Sequence, residues 1–196
     1  LSTKNIVIAT GGRPSIPPIP GLAEIKPLHS DNLWELRVLP KRLVVLGGGP
    51  IGCELAQAFA RMGSQVTQVE MAPRIMGKED PEFSERITRR FQDDGIEVLT
   101  NHKAKAVQAV DGVKHLVLEH IAGEKTIAFD EIICAVGRAA NVEGFGLEEL
   151  GIPLTRQKTV EVNEYLQAHF PNIFACGDVA GPYQFTHTAS HMAWYC

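Results

Sequence analysis

Three glycines and one acid are the residues of this sequence whose types and spacing could do chemistry. Gly47, Gly49 and Gly52 fall in the pattern G-x-G-x-x-G, and Glu70 follows near the spacing of about 20 residues that a dinucleotide site needs. In such a pattern the first glycine permits a tight turn and the second lets backbone approach a pyrophosphate. The third lets a helix pack closely on a strand. The helix start then offers unpaired N–H groups and a positive dipole to the phosphates. A carboxylate at the position of Glu70 accepts hydrogen bonds from the adenosine ribose hydroxyls. It would also repel a ribose 2′-phosphate, so NAD(H) is favoured over NADP(H). Arg74 is close enough in sequence to take such a phosphate, and a solvated loop arginine is the other reading of it.

These residues need elements to hold them. Arg42-Leu43-Val44-Val45-Leu46 is an apolar run of the kind that becomes a buried parallel strand, and it leads straight into Gly47. Ile51, Leu55, Phe59 and Met62 then recur at helical spacing, with Gly63 just past the helix end. Residues 65–69 form a second strand that ends on Glu70. Asp80 and Pro81 are N-cap and first residue of a second helix, with Phe83, Ile87 and Phe91 as its buried stripe and Gly95 as its close. Residues 96–99 make a third strand, so the pattern to this point is β-α-β-α-β. The period then changes. Residues 105–110 and 113–118 flank Asp111-Gly112, a pair that favours a type I′ hairpin turn, and a strand over 125–129 completes a three-stranded antiparallel meander. Residues 5–10, 131–136 and 172–176 read as further strands, the last two ending in Gly137-Arg138 and Gly177-Asp178. Residues 11–20, with four prolines, read as irregular, and 186–196 as the opening of a helix.

The composition sets bounds. The chain has 196 residues, a net charge of −4 and 44% hydrophobic residues, which is typical of a soluble globular protein and argues against a nucleic-acid-binding or disordered one; the α/β class follows from the β-α-β-α-β pattern above. No apolar run approaches the roughly 20 residues that span a membrane, and no secretory signal opens the chain. Cys53, Cys134, Cys176 and Cys196 are scattered without a close pair, so neither a metal site nor a disulfide framework is indicated. Three of them sit in apolar contexts and read as buried free thiols, which suits a reducing cytoplasm.

Three separate segments resemble the pyridine nucleotide–disulfide oxidoreductases, flavoproteins with two dinucleotide-binding domains. They are Ala9-Thr10-Gly11-Gly12-Arg13-Pro14, the stretch from the glycine motif through Ala135-Val136-Gly137-Arg138, and Phe174-Ala175-Cys176-Gly177-Asp178. Within that family the segments resemble those of dihydrolipoamide dehydrogenase and mercuric reductase. The resemblance implies a Rossmann-like NAD domain at 40–140 inserted between FAD-domain pieces at 1–39 and 141–196. It implies that Gly47, Gly49, Gly52, Glu70, Val136 and Gly137 hold NAD, that Ile51 packs on the nicotinamide, and that Pro50 takes the gate position over the flavin. It places Thr10 and Gly11 near the FAD adenosine, Gly177 and Asp178 at the ribityl chain, and the backbone of Thr186 and His187 near the flavin ring. Asp178 as a helix N-cap, and a structural His187, are the plainer readings. Glu54 is an acid near the helix start, which the dipole alone favours. The resemblance implies more, a contact to the nicotinamide carboxamide and a pairing with a flavin-side lysine.

Some parts of the family pattern have no counterpart in these residues. They are the redox-active cysteine pair, the amino-terminal FAD phosphate loop, and the carboxy-terminal dimerisation domain with its His-Glu pair. Alanine also stands at 139, where relatives usually carry proline. The sequence therefore reads as a piece of a longer protein, with the full protein implied to be a homodimer that passes hydride from NADH to FAD and on to a disulfide or similar acceptor. A redox-sensing or scaffolding module that only holds NAD(H), and a flavin NADH oxidase that needs no cysteines, are the competing functions.

Overall fold

The computed structural model describes residues 2–196. In chain order its strands and helices are β1 (Ile6–Ile8), β2 (Gly12–Pro14), β3 (Arg42–Leu46), α1 (Pro50–Met62), β4 (Gln65–Val69), α2 (Pro81–Asp93), β5 (Glu97–Leu99), β6 (Lys103–Val110), β7 (Val113–His120), β8 (Gly123–Phe129), β9 (Glu131–Cys134), β10 (Arg138–Ala140), β11 (Ile173–Ala175) and α3 (Thr186–Tyr195). Short 3-10 turns occupy Leu33–Glu35 and Gly177–Val179. The chain forms two compact units, one of residues 14–137 and one made of the chain up to Arg13 with Arg138–Cys196.

In the larger unit four strands lie in the order β5-β4-β3-β9, all parallel. The two-residue period of a strand sends Leu43 and Val45 to one face and Val44 and Leu46 to the other. Leu43 and Val45 pack with Cys53, Ala56 and Phe59 of α1 and Phe91 of α2. Val44 and Leu46 pack with Val107, Leu116, Leu118 and Phe129 of the antiparallel meander β6-β7-β8. Helices cover one face and the meander the other, which is why β3 can be apolar throughout. Asp111 and Gly112 both have positive φ, 50° and 77°, as a type I′ turn requires.

Several details differ from what the sequence pattern suggests. The row that gives α1 its helical period only partly coincides with its buried face: Phe59 is buried and Leu55 half-buried, but Ile51 and Met62 are 40% and 57% exposed, and Gly52, Cys53 and Ala56 are buried beside the row. Close approach of helix to sheet selects the row of small residues. On α2, Phe83 is exposed, Ile87 half-buried and Phe91 buried. The small Ser84 is buried instead, its hydroxyl donating to the Ile75 carbonyl at 2.6 Å. Asp80 precedes α2 as expected but caps it through its backbone oxygen, which takes the N–H of Phe83 and Ser84. The stretch 11–20 is not wholly irregular, since Gly12–Pro14 pairs with β10. Residues 14–39 belong to the compact unit that carries the glycine motif. Leu22 is fully buried in the meander-side core, and Leu28 bridges in parallel to Ile133 of β9.

In the smaller unit β1 and β11 pair in parallel, Ile8 opposite Ala175, over a core that includes Val142, Leu147, Val160 and Val179.

At the N-terminal end of β3 the Arg42 guanidinium and N–H both donate to Asp130, at 2.6 Å from Nη2 and 2.8 Å from N. The guanidinium bond, then the backbone bond, hold the Asp130 carboxyl below the usual carboxylate range. A carboxyl lowered in the folded state stabilises above its unfolded pKa of about 4 and loses that contribution as pH falls through the folded value. Melting temperature should therefore fall more steeply below about pH 4 in the wild type than in Asp130→Asn. Parallel curves for the two proteins would remove the assignment.

Candidate functional site

The glycine loop leaves β3 at the carboxyl end of the sheet, where β3 has β4 on one side and β9 on the other. A strand flanked in this way, with its crossovers leaving in opposite directions, is where open α/β sheets bind ligands. Gly47 has φ 110°, and a Cβ there would overlap the Ala135 carbonyl at the end of β9. A Cβ on Gly52 would overlap the Gly47 carbonyl oxygen, so α1 starts in direct contact with the turn. A Cβ on Gly49 would meet nothing within 4 Å. The middle glycine thus opens to free space while the outer two are packed. The N–H groups of Ile51 and Gly52, in the first turn of α1, have no intrahelical acceptor, whereas that of Cys53 reaches the Gly49 carbonyl at 2.9 Å. These backbone donors stand beside the open space at Gly49 and can take an anion.

Glu70 is half-buried just past β4. Its Oε2 accepts from Gly48 N–H at 2.6 Å and its Oε1 from Ala72 N–H at 2.7 Å. Each carboxylate oxygen keeps a second lone-pair direction, so two hydroxyls can still be accepted. Glu70 is thereby both a clamp on the glycine loop and an available acceptor. The Arg74 guanidinium is turned to the loop carbonyls of Gly77 and Glu79, at 3.1 and 3.3 Å. Glu54 is exposed and is the fifth residue of α1, one place beyond the first turn, so the helix dipole accounts for it less well than its sequence position suggests. Val136 and Gly137, both exposed, follow the end of β9, and Pro50 and Ile51 are exposed at the start of α1.

The smaller unit brings Thr10-Gly11 and Gly177-Asp178 to the carboxyl ends of the neighbouring strands β1 and β11. A Cβ on Gly11 would meet nothing within 4 Å, room that a large cofactor needs. Asp178 lies within a 3-10 turn whose N-cap is Cys176, so it is not a helix N-cap. Its Oδ2 pairs with Arg138 Nε at 3.1 Å, and Arg138 Nη2 donates to the Gly12 carbonyl at 2.5 Å. The Thr10 hydroxyl donates to the Asn141 carbonyl at 2.7 Å, and Asn141 Nδ2 returns a bond to the Thr10 carbonyl at 3.0 Å. These reciprocal bonds tie β1 to the segment after β10. Thr186 and His187 open α3, both exposed, and the His187 ring stacks on Phe185 with centroids 5.4 Å apart.

Sequence reasoning passed over three site residues. Gly48 is packed against Glu70, and a Cβ there would come within 2.9 Å of Oε2. Gln68 is fully buried below the loop, and Arg138 neutralises Asp178. The unbroken run of three glycines points to the first, whereas the second is one of two glutamines in the strand Gln65–Val69 and carries no signal of its own. Arg138 directly follows Gly137, yet nothing in its spacing reveals a partner 40 residues on. Cys53, Cys134 and Cys176 are buried free thiols, and burial pushes Cys134 up to about 11. Among the described residues no helix is long and apolar enough to cross a membrane, and no group of three or more His, Cys, Asp or Glu is placed to hold a metal.

The family profile described as pyridine nucleotide-disulphide oxidoreductase matches residues 1–193. The chain belongs to this family. Curated relatives include a dihydrolipoyl dehydrogenase of Acholeplasma laidlawii, 38% identical over 97% of this chain and 56% of that protein. A mercuric reductase of Staphylococcus aureus is 34% identical over 97% of this chain and 35% of its own length. The chain thus spans between about a third and just over half of these relatives. Among solved structures, the HOCl-induced flavoprotein disulfide reductase RclA of Escherichia coli superposes with a TM-score of 0.88 at 31% identity, over 96% of this chain and 42% of that one. The α/β architecture, a parallel Rossmann-type sheet with an antiparallel meander, is the one shared with these family members.

Proposed function

We propose that the larger unit binds NAD(H), and that it serves in a flavoprotein oxidoreductase in which hydride passes from NADH to FAD and on to a disulfide or similar acceptor. The observation that carries the reading is the pairing of an open glycine loop with Glu70. The loop has free N–H groups at the helix start and room at Gly49, and the carboxylate is held on Gly48 with spare acceptor capacity. Gly47, Gly49 and Gly52 shape the loop for the pyrophosphate, and Glu70 takes the adenosine ribose hydroxyls. Pro50, Ile51, Val136 and Gly137 face the nicotinamide end, and Glu54 holds its carboxamide. Thr10, Gly11, Gly177, Asp178, Thr186 and His187 are the residues that would hold FAD. When bound, FAD would supply the two-electron acceptor chemistry that side chains alone lack. The chain's own contribution is to bind, orient and select the nucleotide. Reductase chemistry in the whole protein rests on the family likeness, because the chain matches only part of each relative's length.

Selection between nucleotides gives the test. A 2′-phosphate would meet the Glu70 carboxylate, and the nearby Arg74 is already committed to loop carbonyls. Titration of the chain should show NADH binding at least about tenfold tighter than NADPH, a difference of about 1.4 kcal/mol. Equal or tighter NADPH binding would overturn the preference, and no binding of either would overturn the site.

A further inference from the structure

Gln68 stands near the end of the second strand of the parallel sheet with no exposed surface, opposite Val45 and Val98 of the flanking strands. A buried amide in such a place costs free energy unless every polar atom is paired. Half of this one is not: its Oε1 has no hydrogen-bond partner. The other half is directed at the glycine loop. Nε2 donates to the Gly47 carbonyl at 3.0 Å and lies 3.5 Å from Cys53 Sγ. The thiol in turn donates to the Gly48 carbonyl at 3.4 Å, and the Met76 N–H reaches the same carbonyl at 2.6 Å. The nitrogen must be the atom facing Gly47, since an amide oxygen there would oppose a carbonyl oxygen.

The consequence for the loop is directional. The first two glycine carbonyls are drawn inward, toward the sheet and the underside of the first helix. The N–H of Gly48 is held by Glu70, and the N–H groups of Ile51 and Gly52 remain at the helix start without intrahelical acceptors. A carbonyl rotated outward would set a negative dipole against the pyrophosphate. An apolar side chain at 68 would fill the same space but leave the Gly47 carbonyl without its donor.

We propose that Gln68, relayed in part through Cys53, is a positioning residue that locks the Gly47 and Gly48 carbonyls inward and so sets the affinity of the glycine loop for the dinucleotide pyrophosphate. The inference rests on the NAD(H) reading of this loop. It also explains why an amide with an unpaired oxygen is kept in an apolar core: its cost is borne by the fold and its benefit appears in the site.

Gln68→Met separates that role from a structural one, because it keeps the volume and removes the donor. The exchange deletes one unpaired oxygen, Oε1, and creates another on Gly47, so melting temperature should move little. Binding of NADH and of ADP-ribose, which both carry the pyrophosphate, should weaken about tenfold, equivalent to about 1.4 kcal/mol. Binding of adenosine, which needs Glu70 but not the loop donors, should hold within about twofold. Gln68→Leu is the second variant should the methionine protein fold poorly. A folded variant that binds NADH as tightly as the wild type would overturn the inference alone. A uniform loss for NADH, ADP-ribose and adenosine, in step with a lowered melting temperature, would overturn it in favour of a purely structural glutamine. Failure of the wild-type chain to bind NADH would overturn the NAD(H) reading and this inference together.

Discussion

Gly52→Ala is expected to weaken NADH binding by about 10²-fold or more and to lower stability by about 1–3 kcal/mol. A Cβ on Gly52 would overlap the Gly47 carbonyl oxygen and lie 3.4 Å from Gln68 Nε2. The turn has little freedom to retreat. Gly47 N–H is bonded to the Val69 carbonyl at 2.8 Å, its oxygen is held by Gln68 at 3.0 Å, and its own Cα faces the Ala135 carbonyl. Relief therefore has to come from the first turn of α1, the part that offers its N–H groups to the phosphates. Each hydrogen bond to a charged group is worth about 1.5–3 kcal/mol, so misplacing two of them accounts for the loss. Gly49→Ala is the matched control. Gly49 has an ordinary φ of −77°, and its Cβ would meet nothing in the protein, so that variant should melt like the wild type. It should still bind poorly, because the methyl group would fill the space left for the ligand. NADH titration beside thermal melts reads both effects, and a Gly52→Ala protein binding within about threefold of wild type would refute the packing argument.

The parts of this fold that were legible in the sequence are the ones decided locally. The apolar run Arg42–Leu46, the Gly63 helix end with φ 109° and the Asp111-Gly112 turn each carry their signal within a few residues. The glycine motif and Glu70 were legible for the same reason, since one β-α-β unit brings them together. What stayed hidden depends on distance in the chain. The buried face of α1 follows from how near Gly52 lets the helix come to β3, which no helical period encodes. The Pro-rich stretch after Arg13 reads as irregular, yet Leu22 and Leu28 find partners near residues 107 and 133 and draw it into the larger unit. Asp178 was legible as a carboxylate at a strand end, but its guanidinium partner arrives from 40 residues earlier. Gln68 was hidden most effectively, because an amide in a strand reads as a surface residue until the strand proves to be central.

Glu70→Ala is expected to raise the dissociation constant for NADH about 30- to 100-fold while changing that for NADPH by much less, so that the preference between them largely disappears. The carboxylate has two separable jobs. As an acceptor of ribose hydroxyls it acts on the ligand directly, and leaving those hydroxyls unpaired costs about 1–3 kcal/mol. As the acceptor of the Gly48 and Ala72 N–H groups, at 2.6 and 2.7 Å, it also ties the glycine loop to the segment after β4. The first loss falls on NADH. The second falls on both nucleotides, but for NADPH it is offset by removing a negative charge from beside the 2′-phosphate. Glu70→Gln removes the charge and keeps one acceptor oxygen. Its amide oxygen can replace one backbone contact, but its NH2 would face the other N–H group, so part of the loop tie is lost as well. Glutamine should therefore bind NADH nearly as poorly as alanine, and NADPH better than the wild type does. The NADPH arm should weaken with added salt in the wild type less than a simple phosphate site would, since like charges there oppose binding and are screened at the same time. If Glu70→Ala left the ratio of NADH to NADPH affinity unchanged, the carboxylate would be a loop clamp only, and discrimination between the nucleotides would have to be sought elsewhere on the loop.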